Sequence, residues 1–268
     1  MKLDIHAPPP DHPLAGCVES IFLVQARGEY SAQTIMPGGS AAILFNLGSR
    51  LDVSPLRGGS ESIATGSSVM GGLPTTAYTI RAVDEVYVLG ITLKAHAGSA
   101  VFHRPLTELT NRNVEGDLVL PGTGLLCEQL YHAASFQEQC RALLAWLAGG
   151  LGRAEHGALV HRASEALARA AEPHVGRVAK ELGLSERHLR RVFLEHVGVT
   201  PSQWRQLARF RGALALMSSR RTTLSQVAHA AGYSDQAHLC RDFGTIAGMT
   251  PGEYRQRVGP VPGQIFAP

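Results

Sequence analysis

Three arginines are spaced so that a helix would carry them on one face. Arg187, Arg190 and Arg191, followed by Leu194, stand at the spacing of neighbours along an α-helix. A guanidinium group donates two parallel hydrogen bonds to O6 and N7 of guanine in the DNA major groove. A basic helix face that is simply exposed to solvent has the same spacing. Taken alone, these arginines therefore fit either a DNA-reading face or a solvated face.

A second set of side chains recurs about fifty residues later, at Gln236, Ala237, His238 and Arg241. Gln236 suits a bidentate contact with adenine, and Arg241 suits guanine or a phosphate. Ala237 is too small to hydrogen-bond a base edge but can touch a thymine methyl group. His238 lies on the flank of this face, where a phosphate or structural contact is the more common role.

Both sets lie inside a repeated pattern. The segment GVTPSQWR at 198–205 returns as GMTPGEYR at 248–255, and each copy follows a glycine, a serine and an apolar pair. A repeat of this period is typical of a supersecondary unit used twice. The positions expected to build it are turn glycines, capping serines, core phenylalanines and helix-starting prolines: Gly183, Ser185, Phe193, Pro201, Gly232, Ser234, Phe243 and Pro251.

Each position has a local physical role. Glycine adopts positive φ at little cost, which suits the sharp turn expected at Gly183 and Gly232. A serine hydroxyl then accepts from the free N–H groups at the start of the next helix. Gly198 ends that helix, and Pro201 begins another where a missing N–H costs nothing. The pattern predicts a helix, a glycine turn and a capped helix, which is a helix-turn-helix whose second helix enters the major groove.

Residues from about 173 to 257 resemble the AraC/XylS-type transcription regulator domain. The resemblance is carried by VAHAAGYSDQAHLCRDF at 227–243 and by GMTPGEYR at 248–255. It implies two helix-turn-helix units joined by a long helix, which engage two successive major-groove segments as a monomer. The base-reading positions then fall on Arg187, Arg190, Arg191, Gln236, Ala237 and Arg241. Ala237 and Cys240 depart from the family pattern.

The N-terminal half has a different pattern. Short apolar runs at 18–24, 41–47, 78–83 and 85–93 alternate with Gly-Gly pairs, which predicts strands in a small sandwich or barrel. After Pro121 the apolar period becomes helical, and Leu159 to Ala171 predicts a further helix. The stretches 90–96 and 105–112 resemble, more weakly, the cupin-like effector or dimerisation domains that precede such regulators.

These observations predict an α+β chain of two domains. We expect a cupin-like effector-binding or dimerisation domain at 1–155, formed by a small β-sandwich or barrel with following helices. A linker helix at 156–172 leads to an all-α double helix-turn-helix at 173–258, and a flexible tail occupies 259–268. Leu207 to Met217 is long enough to bridge the two repeat copies.

Charge divides the chain in the same place. Residues 1–160 carry 10 Lys and Arg against 14 Asp and Glu, a net charge of −4, whereas residues 161–268 carry 15 against 8, a net of +7. A basic domain joined to a mildly acidic one suits a polyanion-binding module with a partner domain. No apolar run approaches membrane-spanning length and the N-terminus lacks a signal-peptide core, so we expect a cytoplasmic protein.

Several kinds of enzyme lack their motifs. A metal-binding cupin needs a His-x-His pair, and a nucleotide phosphate loop needs glycines leading into Lys-Ser or Lys-Thr; neither occurs. No Gly-x-Ser-x-Gly elbow presents a nucleophile. Cys127, His132 and Cys140 form too small a set for a zinc site. We therefore predict no catalytic residues, no metal and no cofactor, and we expect the four cysteines to be free thiols.

The sequence thus predicts a bacterial DNA-binding transcription regulator, in keeping with an activator. Its expected partners are promoter DNA, RNA polymerase, a small organic effector and a second copy of the chain. The alternative is an enzyme or ligand-storage protein that uses the helical domain as an interaction module. Ada-type repair proteins attach a similar helical pair to acceptor cysteines, but Cys17 stands alone.

Two further hypotheses concern the N-terminal domain. Aromatic and aliphatic residues of its strands are expected to enclose an apolar pocket or else to fill a core: Phe22, Ile43, Phe45, Tyr78, Tyr87 and Leu89. Arg81, Glu85 or Lys94 would hold the polar end of a ligand. The helical segment from Leu125 to Leu147 is expected either to carry a dimer contact or to pack on its own domain.

Overall fold

The computed structural model describes residues 2–26, 32–56, 60–82, 84–152, 156–169, 174–217, 222–258 and 264–266, the last of these by backbone only. Strands form most of the N-terminal half, short and longer helices follow them, and the C-terminal half is helical up to a final short strand. The α+β, two-domain fold class is therefore confirmed. The expected Gly58-Gly59 turn and residues 259–263 of the tail lie outside the described residues.

Two antiparallel sheets face each other. The six-stranded sheet has the order β1 (Lys2–His6), β2 (Val18–Ala26), β9 (Val86–Leu93), β4 (Ala42–Asn46), β7 (Ser67–Gly71) and β10 (Asn113–Glu115). The five-stranded sheet has the order β11 (Gln264–Phe266), β3 (Gln33–Ile35), β8 (Tyr78–Ala82), β5 (Leu51–Pro55) and β6 (Glu61–Ile63).

The six-stranded sheet is covered on both faces, which explains why β9 is apolar along most of its length. Alternate residues such as Ile43, Phe45 and Leu89 pack against the helices that follow the strands. The residues between them, such as Leu44 and Val88, face the five-stranded sheet. The first face is a closed core, whereas the second is lined by aliphatic side chains and Tyr78.

The helices on this sheet are α1 (Gly98–Phe102), α2 (Thr123–His132) and α3 (Phe136–Gly150), with short 3-10 turns at Leu106–Glu108 and Gly116–Leu118. Their apolar stripe is buried against the sheet: Leu126, Leu130, Leu143, Leu144 and Leu147. Trp146 packs edge-on against Phe45, with ring centroids 6.2 Å apart. The stripe is therefore core and not a dimer surface, because the sheet already covers it.

The described residues after α3 form seven further helices: α4 (Gly157–Arg169), α5 (Val175–Glu181), α6 (Glu186–Val197), α7 (Pro201–Met217), α8 (Leu224–Ala230), α9 (Gln236–Ile246) and α10 (Pro251–Arg257). The expected linker helix corresponds to α4, which packs on α5, α6 and α7. Trp204 Nε1 donates to the Ser164 carbonyl at 3.0 Å, so α4 is part of the helical layer. Within the described ranges, no helix is both long and apolar enough to cross a membrane.

The end of the chain differs from the sequence-based expectation. Residues 264–266 were expected to belong to a flexible tail, yet they form β11 and pair with β3 in antiparallel register. The physical reason is that β3 is otherwise an edge strand, whose unpaired backbone groups accept a further strand. The C-terminal segment thus returns to the N-terminal domain after the last helix.

Candidate nucleic-acid interface

The first helix-turn-helix is built as its sequence predicts. Helix α5 ends before Gly183, which has φ of 71°, a value that favours glycine. Ser185 caps α6, and its hydroxyl accepts from the His188 N–H at 3.2 Å. Helix α6 ends at Gly198 with φ of 86°. The glycine turn and the serine cap set where α6 begins, and Gly198 sets where it ends.

Helix α6 has one buried face and one exposed basic face. Leu189, Val192 and Phe193 are almost wholly buried. The side chains of the three predicted base-reading residues are exposed on the opposite surface: Arg187, Arg190 and Arg191. The structure therefore brings these three residues together on one accessible face.

Two of these arginines have partners that the sequence interpretation overlooked. Arg190 forms an ion pair with Glu186, and Arg191 approaches Glu195 with 3.6 Å between nitrogen and oxygen. The i,i+4 spacing of each pair was the available signal. Among the described residues, Arg187 has no ion pair, so its guanidinium is the most available for DNA.

The second helix-turn-helix repeats this construction with one shift. Thr223 caps α8 through a reciprocal pair of bonds with Gln226, and Gly232 turns with φ of 81°. Ser234 was expected to cap the next helix, but the cap is Asp235, whose carboxylate accepts from the His238 N–H at 2.7 Å. Helix α9 starts one residue later than the repeat predicts, which brings a stronger acceptor to the cap position. The bond from the His238 N–H, followed by one from Ser234, lowers the pKa of Asp235.

Helix α9 presents the second group of predicted side chains. Gln236, Ala237 and Arg241 are exposed, whereas Leu239 and Phe243 are fully buried. His238 is half-buried, with its Nδ1 3.2 Å from the Ser234 hydroxyl and its ring edge-on to Tyr233. These contacts favour the structural role for His238 over base contact.

The two units are joined by a shared core. Thr200 caps α7 ahead of Pro201, and Thr250 caps α10 ahead of Pro251, each with a side-chain partner three residues on. The bridging helix α7 carries Phe210, whose ring lies 4.8 Å from that of Phe243. The long helix that the sequence placed between the copies therefore packs on the second unit directly.

A buried polar network also joins α7 to α9. Asp242 accepts from Gln206 Nε2 at 2.9 Å and lies 3.7 Å from the Arg209 guanidinium, which sits over the Tyr233 ring. Burial and the nearby Asp242 carboxylate raise the pKa of Tyr233. Nothing in the sequence indicates this role for Asp242, because its partners Gln206 and Arg209 lie on another helix.

Several contacts hold the helical half against the strand-rich half, and three of them are the following hydrogen bonds. Thr110 Oγ1 donates to the Gly198 carbonyl at 2.8 Å, and the Ala77 N–H donates to the Ile246 carbonyl at 2.7 Å. Arg211 Nη1 donates to the Gly38 carbonyl at 2.8 Å. All three contacts lie away from the exposed faces of α6 and α9. The basic face of α6 and the polar face of α9 are therefore open to solvent.

The residues expected to enclose one apolar pocket separate onto two faces. Ile43, Phe45 and Leu89 belong to the closed core under the helices, which is the filled-core alternative for these three residues. Tyr87 packs against the same core and accepts from Gln139 Nε2 at 2.7 Å. Because strands alternate their side chains, the sequence could place these residues in strands but could not place them on one face.

Phe22 and Tyr78 lie instead between the two sheets. Phe22 lies against the backbone of Gly90, where an added β-carbon would be 2.1 Å from its ring. Tyr78 packs with the apolar residues between the sheets, and burial raises its pKa to about 12. Of the polar candidates, Arg81 lies on the outer face of the five-stranded sheet, beside Asp52 and Thr79.

Three of the four cysteines, Cys17, Cys127 and Cys140, lie in surroundings that do not activate a thiol. Burial raises the pKa of the Cys17 thiol, and Lys94 offsets this only in part. Burial also raises the pKa values of Cys127 and Cys140 to about 11. A raised pKa disfavours the reactive thiolate. In the described ranges, no three His, Cys, Asp or Glu side chains are grouped so that they could hold a metal ion.

Two family descriptions match the chain. Residues 178–257 match a helix-turn-helix domain, and residues 6–115 match a domain of unknown function (DUF6597). The helical region is 34% identical over 82 residues to the HTH-type transcriptional regulator GlxA of Rhizobium meliloti (strain 1021), covering 31% of this chain and 25% of that protein. It is 30% identical over 81 residues to the arabinose operon regulatory protein of Escherichia coli (strain K12), covering 30% and 28%.

The matched region thus spans little more than a quarter of these curated relatives. The fold as a whole is similar to unsaturated fatty acid bound ToxT from Vibrio cholerae strain SCE256, with a TM-score of 0.53 at 13% identity over 91% of this chain and 97% of that one. The apo ToxT K231A structure gives a TM-score of 0.52 at 14% identity over 88% and 97%. The C-terminal part of this chain therefore matches a helix-turn-helix domain and is similar to the corresponding part of the arabinose operon regulatory protein, and the chain has the two-domain fold of ToxT.

Proposed function

We propose that the protein is a sequence-specific transcription regulator that reads two successive major-groove segments of duplex DNA. The observation that carries the proposal is the pair of exposed faces on α6 and α9, each on the second helix of a helix-turn-helix unit. Arg187, Arg190 and Arg191 would read one segment. Gln236, Ala237 and Arg241 would read the next, with His238 near a phosphate.

The distribution of charge supports a polyanion as the partner. Residues 161–268 carry a net charge of +7, and the N-terminal part is acidic. The affinity for a selected duplex should fall steeply with salt, with a slope of log K against log[salt] of about −0.9 for each phosphate neutralised. Fluorescence anisotropy on a duplex selected from a random library measures this slope, and a flat response would refute the proposal.

We propose promoter DNA as the target, RNA polymerase as the protein partner and the cytoplasm as the location. An activator would place its N-terminal domain or α7 where polymerase can reach it. Transcription from the selected promoter in a purified system, with and without the protein, separates activation from repression. No specific observation favours the alternative of an enzyme, and the raised pKa of the Cys17 thiol argues against an acceptor cysteine.

The space between the two sheets is the place we propose for a small organic effector. Buried residues such as Leu51 and Val53 line part of this space, but five apolar side chains remain only partly buried although they face the opposite sheet: Val24, Leu44, Tyr78, Ile80 and Val88. The ToxT structure noted above holds an unsaturated fatty acid, which shows that a protein of this fold can hold an apolar ligand. A molecule with an apolar body therefore suits this space better than an ion does.

We propose further that two copies associate through α2, by its outer face. Leu125 is 70% exposed and Tyr131 is 57% exposed, and Leu118 beside them is 70% exposed. Sedimentation of the full chain should show a dimer that Leu125→Glu dissociates. A monomer at tens of micromolar in both forms would leave the protein to act as a single bipartite reader.

A further inference from the structure

Four histidines from separate parts of the chain meet where the strand-rich half contacts the helices. His96 follows β9, His156 precedes α4, His161 lies within α4 and His196 lies in the last turn of α6. The chain has twelve histidines spread along its length, so the sequence gives no sign of this grouping. The fold brings them together.

The four rings form two pairs across the junction. The ring centroids of His96 and His161 are 4.7 Å apart, and those of His156 and His196 are 5.4 Å apart. His196 Nδ1 also lies 2.6 Å from the hydroxyl of Ser99 in α1. Both pairs therefore lie along the contact between the segment from 94 to 103 and the helices α4 and α6.

The surroundings of His96 disfavour a positive charge. Burial lowers the pKa of His96, and His161 and Lys94 lower it further, while the Gly16 carbonyl and Glu165 act in the opposite direction. His96 Nε2 lies 2.9 Å from the Gly16 carbonyl oxygen, which requires a proton on that nitrogen. Glu165 is 3.8 Å from His161 Nε2, but it is also paired with Arg169 and is thus only partly available to neutralise the histidines.

We propose that this junction is a pH-sensitive contact, in which proton uptake by His96 in mildly acidic solution loosens α4 from the segment that follows β9. The facing His161 ring and Lys94 both disfavour a positive charge on His96, and that charge also attracts water into the contact. The direction follows from linkage: the docked state holds fewer protons than the undocked one. Docking is therefore complete above the ordinary histidine pKa of about 6.5 and weakens as pH falls below it.

Hydrogen exchange of the full chain tests the proposal. The measured quantity is the protection of backbone amides in the peptides 94–103 and 157–169, corrected for intrinsic exchange. This protection should be lower at pH 5.5 than at pH 7.5, by up to about tenfold per pH unit for each proton taken up. The double variant His96→Gln and His161→Gln should keep its protection at both pH values, because glutamine can donate to Gly16 without titrating. The control His229→Gln, on the exposed surface of α8, should respond as the wild type does.

Two results would overturn the proposal. One is equal protection of the wild-type peptides at both pH values, and the other is a pH response in the double variant as large as that of the wild type. If the double variant is unprotected throughout, the single variant His161→Gln decides, since its side chain is 46% exposed. It must keep wild-type protection at pH 7.5 and respond less at pH 5.5; any other behaviour rejects the proposal.

Discussion

Arg190 and Arg191 are exposed, but each is already paired with a carboxylate on its own helix. Such surface pairs contribute at most about 1 kcal/mol, so DNA phosphates or bases can take the arginine over. The carboxylate then remains close to the duplex and repels its phosphates. In the proposed complex, the acidic partners on α6 would restrain affinity, and Arg187, which has no ion pair among the described residues, would make its contact at the lowest cost.

This gives a prediction about Glu186. The substitution Glu186→Gln frees Arg190 and removes a negative charge near the DNA, so duplex affinity should rise by up to about fivefold at low salt. Anisotropy titrations of both proteins measure the change. Glu138→Gln, which removes an exposed carboxylate near the start of α3, is the matched control and should leave affinity unchanged. Unchanged affinity for Glu186→Gln would mean that Arg190 does not approach the duplex.

The two glycine turns of the first helix-turn-helix differ in the space beside each glycine. Gly183 has positive φ but open space beside it, whereas a β-carbon at Gly198 would lie 2.3 Å from Thr110 Oγ1. Gly183→Ala should therefore cost only the backbone strain of a left-handed residue, about 1–2 kcal/mol. Gly198→Ala adds a clash with the N-terminal domain.

The two variants are thus a matched pair. Denaturation of the full chain should show a larger loss of stability for Gly198→Ala than for Gly183→Ala. Only Gly198→Ala should also increase hydrogen exchange in the 3-10 turn at 106–108. Equal losses, with no change at this turn, would show that the Gly198 contact does not hold the two halves together.

The sequence predicted those turns and caps that depend only on neighbouring residues. The turns at Gly183 and Gly232 and the Ser185 cap depend on residues within one helix turn, so the repeat revealed them. Three other features join residues that are far apart in sequence: the contact of Gly198 with Thr110, the Asp242 network and the histidine junction. No local period reports such contacts, and the pairing of 264–266 with β3 was missed for the same reason.

For the whole molecule, we expect the space between the sheets to bind a ligand. A small apolar molecule at 100 times its Kd should stabilise the protein by about 2.7 kcal/mol. A thermal-shift screen of organic acids and other metabolites detects this as a rise in Tm. Val88→Trp should fill the space and abolish the response to any hit, while Leu125→Ser on the outer face of α2 should preserve it. A hit that persists in Val88→Trp would place the ligand elsewhere.

In the proposed function, α6 and α9 read separate parts of one DNA site. Site selection from a random duplex library, repeated with the wild type and single variants, tests it most directly. Arg187→Ala should relax base preference in one half of the site and Gln236→Ala in the other, about one helical turn away, each at a cost of about 1–3 kcal/mol. Arg141→Ala, which removes an exposed arginine from α3, should select the wild-type site. If both variants weaken every sequence equally, these side chains do not read bases and the account is contradicted.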